Sequence, residues 1–214
     1  SISLRNVPVA DVSSLGALPS LHALYLGRTQ VASIPLGSGF AALSRLTIRE
    51  SPVTNLDFVR GNAALTHLDV RGTSVSDLTP LVGTSLRSLD ISDTNVSDIS
   101  PLATLTELNT FECNNIPATD FSVLSGLAGL SDCRAAGTAL DTLSHFEHNT
   151  ALDALVVDDT EVSDLGPLSN NMELEILSIA RTGVSSLAPL EGIDTLDSID
   201  LSGTPVSDLS PIMS

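Results

Sequence analysis

Read for apolar and polar positions alone, the chain is one short pattern written ten times. Between Leu65 and Leu102, apolar residues fall at Leu68, Val70, Val75, Leu78 and Leu81, then again at Leu89, Ile91, Val96, Ile99 and Leu102. The spacing returns at Leu155, Val157, Val162, Leu165 and Leu168, and twice more from Leu177 and from Ile199. The first apolar residue of each copy is Ile2, Leu24, Leu46, Leu68, Leu89, Phe111, Cys133, Leu155, Leu177 and Ile199. The interval is 22 residues, except for 21 between Leu68 and Leu89. A fixed period this short marks a stacked repeat architecture. Each copy opens with an apolar-x-apolar pair, which places two side chains on one face of a strand. So small a unit cannot bury that face alone, so its neighbours must cover it.

The rest of the unit predicts how the chain returns. Three residues after the second core position comes a small hydroxyl residue: Thr29, Ser51, Thr73, Thr94, Thr138, Thr160, Thr182 and Thr204. The chain turns away from the strand there, and a buried hydroxyl can both donate and accept, so the row is expected to link successive turns. Val7 and Ile116 interrupt it, and the sixth copy, with CNNIPATDF, is expected to bulge. Asp77, Asp98, Asp120, Asp164 and Asp208 come next. Pro80, Pro101, Pro167 and Pro211 follow three residues later, and Pro189 holds the same place in its copy. Thr79 and Ser100 are expected N-caps, with proline at the first helical position. Each unit should thus return through a short 3₁₀ or single α-turn, pinned by Leu81, Leu102, Phe146, Leu168 and Leu190. Strand, turn, short helix and return make one coil of a right-handed solenoid.

The pattern LxxLxLxxTxVxDLxPLxxL resembles leucine-rich repeats. It is similar to the 22-residue subclass found in bacterial internalins and in the phosphatase regulator SDS22. Those families usually carry Asn where this chain has Thr, a feature similar to some kinetoplastid and bacterial surface proteins. The resemblance implies a mostly-β α/β solenoid: a horseshoe of ten repeats with a parallel concave sheet and short convex segments. One domain over residues 1–214 is expected, as a piece of a longer chain lacking both caps. Two functions are expected of such a chain: a non-enzymatic module that binds a protein on the concave sheet, or a structural spacer within a larger assembly.

Composition narrows the partners. A net charge of −17 argues against nucleic acid, which needs a basic footprint. All nine cations are arginine. No apolar run reaches the roughly 18 residues that a membrane span needs. Cys113 and Cys133 fall on core positions of neighbouring repeats, offset by two residues, which puts their Cα atoms about 8 Å apart. That exceeds the bridging limit of about 7 Å, so both are read as free buried thiols. Surface, secreted and cytoplasmic locations all stay open.

Candidate chemistry sits on the outward strand positions. The central outward row is Ser3, Tyr25, Thr47, Asp69, Asp90, Glu112, Arg134, Val156, Ser178 and Asp200. Arg5, Arg28, Arg45, Arg49, His67 and Arg71 flank it in the first four repeats, and Asp93, Asp132, Asp158 and Asp159 follow. The row predicts a basic end running into an acidic middle. Its functional reading is a strip for an oppositely patterned protein, contacted through Tyr25, Arg45, Arg49, His67, Asp69, Arg71, Asp90, Glu112, Arg134 and Val156. Its bland reading is a solvated surface whose charges pair across strands. Other motifs are weak. Gly37-Ser-Gly39-Phe-Ala-Ala42 lacks the strand–helix setting of a dinucleotide site. His145, Glu147 and His148 lie on a convex return segment without a convincing ligand set and are read as solvent-exposed. No nucleophile is paired with a base and an orienting acid, so neither catalysis nor a cofactor is expected.

Overall fold

The computed structural model describes residues 1–34 and 40–213. Ten strands form one sheet, paired strictly in chain order and all parallel: β1 (Ile2–Ser3), β2 (Ala23–Tyr25), β3 (Arg45–Thr47), β4 (His67–Asp69), β5 (Ser88–Asp90), β6 (Thr110–Glu112), β7 (Asp132–Arg134), β8 (Ala154–Val156), β9 (Ile176–Ser178) and β10 (Ser198–Asp200). The register stacks Leu24, Leu46, Leu68, Leu89, Phe111, Cys133, Leu155 and Leu177 in one buried row, as the 22-residue period requires. A second row, from Leu26 through Ile48, Val70, Ile91, Cys113 and Ala135 to Val157 and Ile179, is fully buried beside it. The core is therefore a thin apolar column running the length of the horseshoe.

The single short repeat does not disturb the sheet, because Leu68 and Leu89 remain direct partners. The missing residue comes out of the turn between Thr84 and Leu86. Buried Thr84 closes that turn by donating its hydroxyl to the Leu81 carbonyl at 2.7 Å. The sixth repeat does not bulge either. Thr110–Glu112 keeps its register with both neighbours, and buried Ile116 takes the place of the hydroxyl.

Two expectations about polar groups are corrected. Thr79 and Ser100 make no capping hydrogen bonds and sit as the first residues of the 3₁₀ turns Thr79–Leu81 and Ser100–Thr104. The residue two positions earlier closes each turn instead. Asp77 accepts from the Thr79 amide, Asp98 from Ser100, Asp120 from Ser122, Asp164 from Gly166 and Asp208 from Ser210, all at 2.8–2.9 Å. The preference of Asp for bonding its own backbone two residues on explains why Asp recurs there.

The hydroxyl row also does not chiefly link repeats. Thr73, Thr94, Thr138, Thr160, Thr182 and Thr204 each donate to the carbonyl three residues back in their own repeat, at 2.6–2.7 Å. Among the described residues, the row bridges two coils at Thr29 and Ser51: the hydroxyls meet at 3.2 Å, the Thr29 amide donates to the Ser51 hydroxyl at 3.3 Å, and Ser51 donates to the Leu26 carbonyl.

The turn after each strand has a backbone signature. Asn6, Arg28, Glu50, Gly72, Asp93, Asn115, Gly137, Asp159, Arg181 and Gly203 all adopt positive φ, between 51° and 75°. One left-handed residue per repeat tips the chain out of the strand, and it recurs in all ten copies.

Candidate functional site

The outward residues lie where the alternation puts them. Tyr25, Thr47, Asp69, Asp90, Glu112, Arg134 and Val156 are consecutive register partners, so their side chains form one row across the sheet. Arg45 and His67 are neighbours in the row before it. Arg49 and Arg71 follow two residues after Thr47 and Asp69, and so rise on the same side. The ten residues singled out from sequence therefore share one face. They differ in access: Arg45 and Arg49 are exposed, Tyr25, His67, Asp69, Arg71, Glu112, Arg134 and Val156 are half-buried, and Asp90 is buried. Val156, the apolar member of the row, is thus partly covered.

Some of these charges are already paired. Arg49 bonds Asp69 of the next strand, and Arg134 bonds Asp132 two residues back at 3.1 Å. Beside the strip, Arg28 grips Glu50 with two bonds of 2.9 and 3.1 Å, and Arg181 grips Asp159. Arg5, Arg45 and Arg71 form no ion pair among the described residues. Arg5 instead lies over the Tyr25 ring, 4.7 Å from its centroid.

The middle of the strip stacks like charges. Asp69, Asp90 and Glu112 stand side by side on three adjacent strands. Burial, then the Asp90 charge, pushes the carboxyls of Asp69 and Glu112 above their usual range. His67 is shifted the other way: burial, then Arg45 and Arg87, disfavours its charged form. Both cysteines are buried and free, and burial raises each thiol far from ionisation.

Several polar residues on this face carry a structural task that the sequence does not announce. Ser92 accepts from the Asn114 amide, Asn114 from Ala136, and Asp158 from Ala180, each one repeat on, at 2.8–3.1 Å. These side chains bind backbone groups beyond the strand ends and so continue the ladder sideways.

Among the described residues no group of three His, Cys, Asp or Glu side chains could hold a metal ion. Of the motif from Gly37 to Ala42, residues 37–39 lie outside the described residues. No described helix is long and apolar enough to cross a membrane.

Comparison with known proteins fits this geometry. The family described as Leucine Rich repeats (2 copies) matches residues 84–126. A search of curated protein sequences finds no match. Among solved structures, an internalin (inlF) from Listeria monocytogenes superposes with a TM-score of 0.86 at 24% identity, covering 97% of this chain. This chain spans 62% of that one. Internalin C2 of the same bacterium gives 0.76 at 23% identity, covering 83% of this chain and 79% of its own. The ectodomain of the Arabidopsis thaliana receptor kinase GASSHO1/SCHENGEN3, solved in complex with CASPARIAN STRIP INTEGRITY FACTOR 2, gives 0.72 at 16% identity over 89% of this chain and 25% of its own. Likeness at these identities establishes the fold, and the chain is a leucine-rich-repeat horseshoe.

Proposed function

We propose that the chain is a non-enzymatic recognition module whose concave sheet binds a protein partner. The observation that carries the reading is the order of charge along the strip. Arg5, Arg28, Arg45, Arg49 and Arg71 crowd the first four repeats, while Asp69, Asp90 and Glu112 stack directly behind them. Like charges opposite one another in a sheet cost stability. A partner presenting basic groups to the middle and acidic groups to the first repeats would relieve that cost and gain both orientation and association rate. The rigid ladder beneath keeps the ordering penalty of binding small. A structurally similar receptor-kinase ectodomain has been solved in complex with CASPARIAN STRIP INTEGRITY FACTOR 2, which supports the use of such a fold for recognition.

A second reading, a spacer within a larger assembly, draws on apolar residues off the sheet. Leu18, Val82 and Met172 are large, apolar and 42–51% exposed on the return side of their repeats. Two sets of variants separate the readings. Glu112→Arg with Val156→Arg obstructs the strip, whereas Val82→Arg with Met172→Arg alters the return side. The first pair should abolish capture of a purified partner and the second should leave it intact. The reverse pattern would establish the assembly reading.

A further inference from the structure

The first repeats contain a depression of about 180 Å³ on the concave side. Its walls are the guanidinium-bearing side chains of Arg5, Arg28, Arg49 and Arg71, with Glu50 at its rim. Four of the nine cations of an acidic chain thus converge on one place. The depression exists because Gly27 occupies the outward position between Arg5 and Arg49. A Cβ there would lie 3.7 Å from the Arg49 Cβ and 4.0 Å from the Arg5 Cγ, so any larger side chain would enter the space.

We propose that this pocket seats the carboxylate side chains of an acidic polypeptide segment. The inference rests on the concave reading above and names the chemistry of the partner at that end.

Three observations select carboxylates within a polypeptide. First, the pocket already holds one: Glu50 lies against Arg28 in a two-pronged pair, the fork geometry that suits a planar carboxylate. Arg5 and Arg71 have no such acid among the described residues and stand ready for a second. Second, the backbone amides of Asn6, Arg28 and Glu50 at the rim all donate to carbonyls of the next coil at 2.8–3.0 Å. They cannot form the open nest of N–H groups that typically cradles phosphate, so recognition falls to the guanidinium forks. Third, the pocket opens onto Asp69, Asp90 and Glu112 in the following strands, which would repel a uniform polyanion such as nucleic acid. A polypeptide can place acids in the pocket and bases beyond it, and half-buried Tyr25 offers it an aromatic contact.

The test uses the chain with a capped, Glu-rich synthetic peptide of about eight residues. At about 3.4 Å per residue it can cross four strands spaced about 4.8 Å apart. Binding is followed by titration calorimetry and by amide chemical shifts at low salt. The wild-type chain should bind, with shifts centred on repeats one to four. The Arg5→Gln, Arg71→Gln pair should weaken binding about tenfold or more. Gly27→Leu, which alters no charge, should weaken it comparably by filling the space. Arg60→Gln with Arg87→Gln, the same change of charge elsewhere, should matter less than twofold.

Binding that ignores both Gly27→Leu and the Arg5/Arg71 pair would overturn the proposal, as would an absence of binding. So would tighter binding of a single-stranded DNA oligonucleotide through the same arginines. None of these outcomes touches the concave reading, which depends on Glu112→Arg and Val156→Arg.

Discussion

Asp69 and Asp90 are direct partners across β4 and β5, so two carboxylates rise from the same side of the sheet one strand apart. Glu112 continues the row on β6. Asp90 also accepts the Ser92 amide at 2.9 Å, a bond that an asparagine oxygen can keep. Asp90→Asn should therefore remove repulsion at little structural cost and raise stability at neutral pH by about 0.5–1 kcal/mol.

The sign with pH is opposite for two groups of acids. Asp69 and Glu112, raised by burial and then by Asp90, favour the native state when protonated. Their contribution is fully present below the ordinary carboxylate range of about 4 and is lost as pH climbs through the raised values. Asp98 and Asp120, lowered chiefly by bonds to Ser100 and Ser122, act the other way and weaken the turns as pH falls. Chemical denaturation from acid to neutral pH should show the Asp90→Asn advantage shrinking toward acid.

Gly137 lies beneath its neighbour in the row of left-handed residues. An added Cβ would collide with the Asn115 side-chain oxygen, at a φ of +66° that already disfavours one. Asn115 is held in place by donating to Asp93 at 2.8 Å. Gly61 has a similar φ of +75° and open space around it. Gly61→Ala should cost about 1 kcal/mol from backbone strain alone, and Gly137→Ala measurably more. Combining Gly137→Ala with Asn115→Gly should recover the excess, a coupling that a double-mutant cycle reads directly.

The buried hydroxyls predict a graded series. Thr160 donates to the Val157 carbonyl at 2.6 Å. Thr160→Val keeps the shape but removes the donor, and should cost about 1–3 kcal/mol. Thr160→Ser keeps the donor and should cost less. Thermal unfolding of the two variants checks the order.

Asn149 and Asn171 form a short internal ladder on the return side. Each is fully buried, and each amide donates across to the preceding coil, to Leu127 and to Asn149, at 2.7 and 2.8 Å. Among the described residues their side-chain oxygens have no partner. Asn149→Ala removes one of the two bonds to the Leu127 carbonyl, which keeps the Leu130 amide, and opens a cavity, and should cost about 1–3 kcal/mol. Asn149→Leu also removes the unpartnered oxygen and refills the space, so it should be the milder change in a denaturant titration.

What the sequence disclosed follows from periodicity. Leu24 through Leu177 repeat at a fixed interval, so their register and the outward row from Tyr25 to Val156 could be read in advance. The free state of Cys113 and Cys133 followed from the same geometry. The left-handed position has no signature in the sequence, because seven of its ten occupants are not glycine. Arg28 and Arg181 carry no local sign of it; the position is forced by the strand–turn junction they share with Gly72 and Gly203. The sequence points to Thr79 rather than Asp77 because an ideal helix cap lies one residue before the helix, whereas these tight 3₁₀ turns are closed from two before. Nothing in the sequence singles out Asn149, since only stacking reveals the carbonyl it meets. The pocket over Gly27 is defined by a missing side chain between residues 22 positions apart on either side, and no motif marks an absence.

Carboxyl footprinting with the partner bound tests the central claim most directly. Glu112, Asp132 and Asp158 lie on the concave side, while Asp98, Asp120 and Asp208 close turns on the opposite flank and serve as internal controls. The partner should shield the first three from carbodiimide labelling and leave the second three unchanged. Shielding of Asp98, Asp120 and Asp208, with Glu112, Asp132 and Asp158 still labelled, would contradict recognition through the concave sheet.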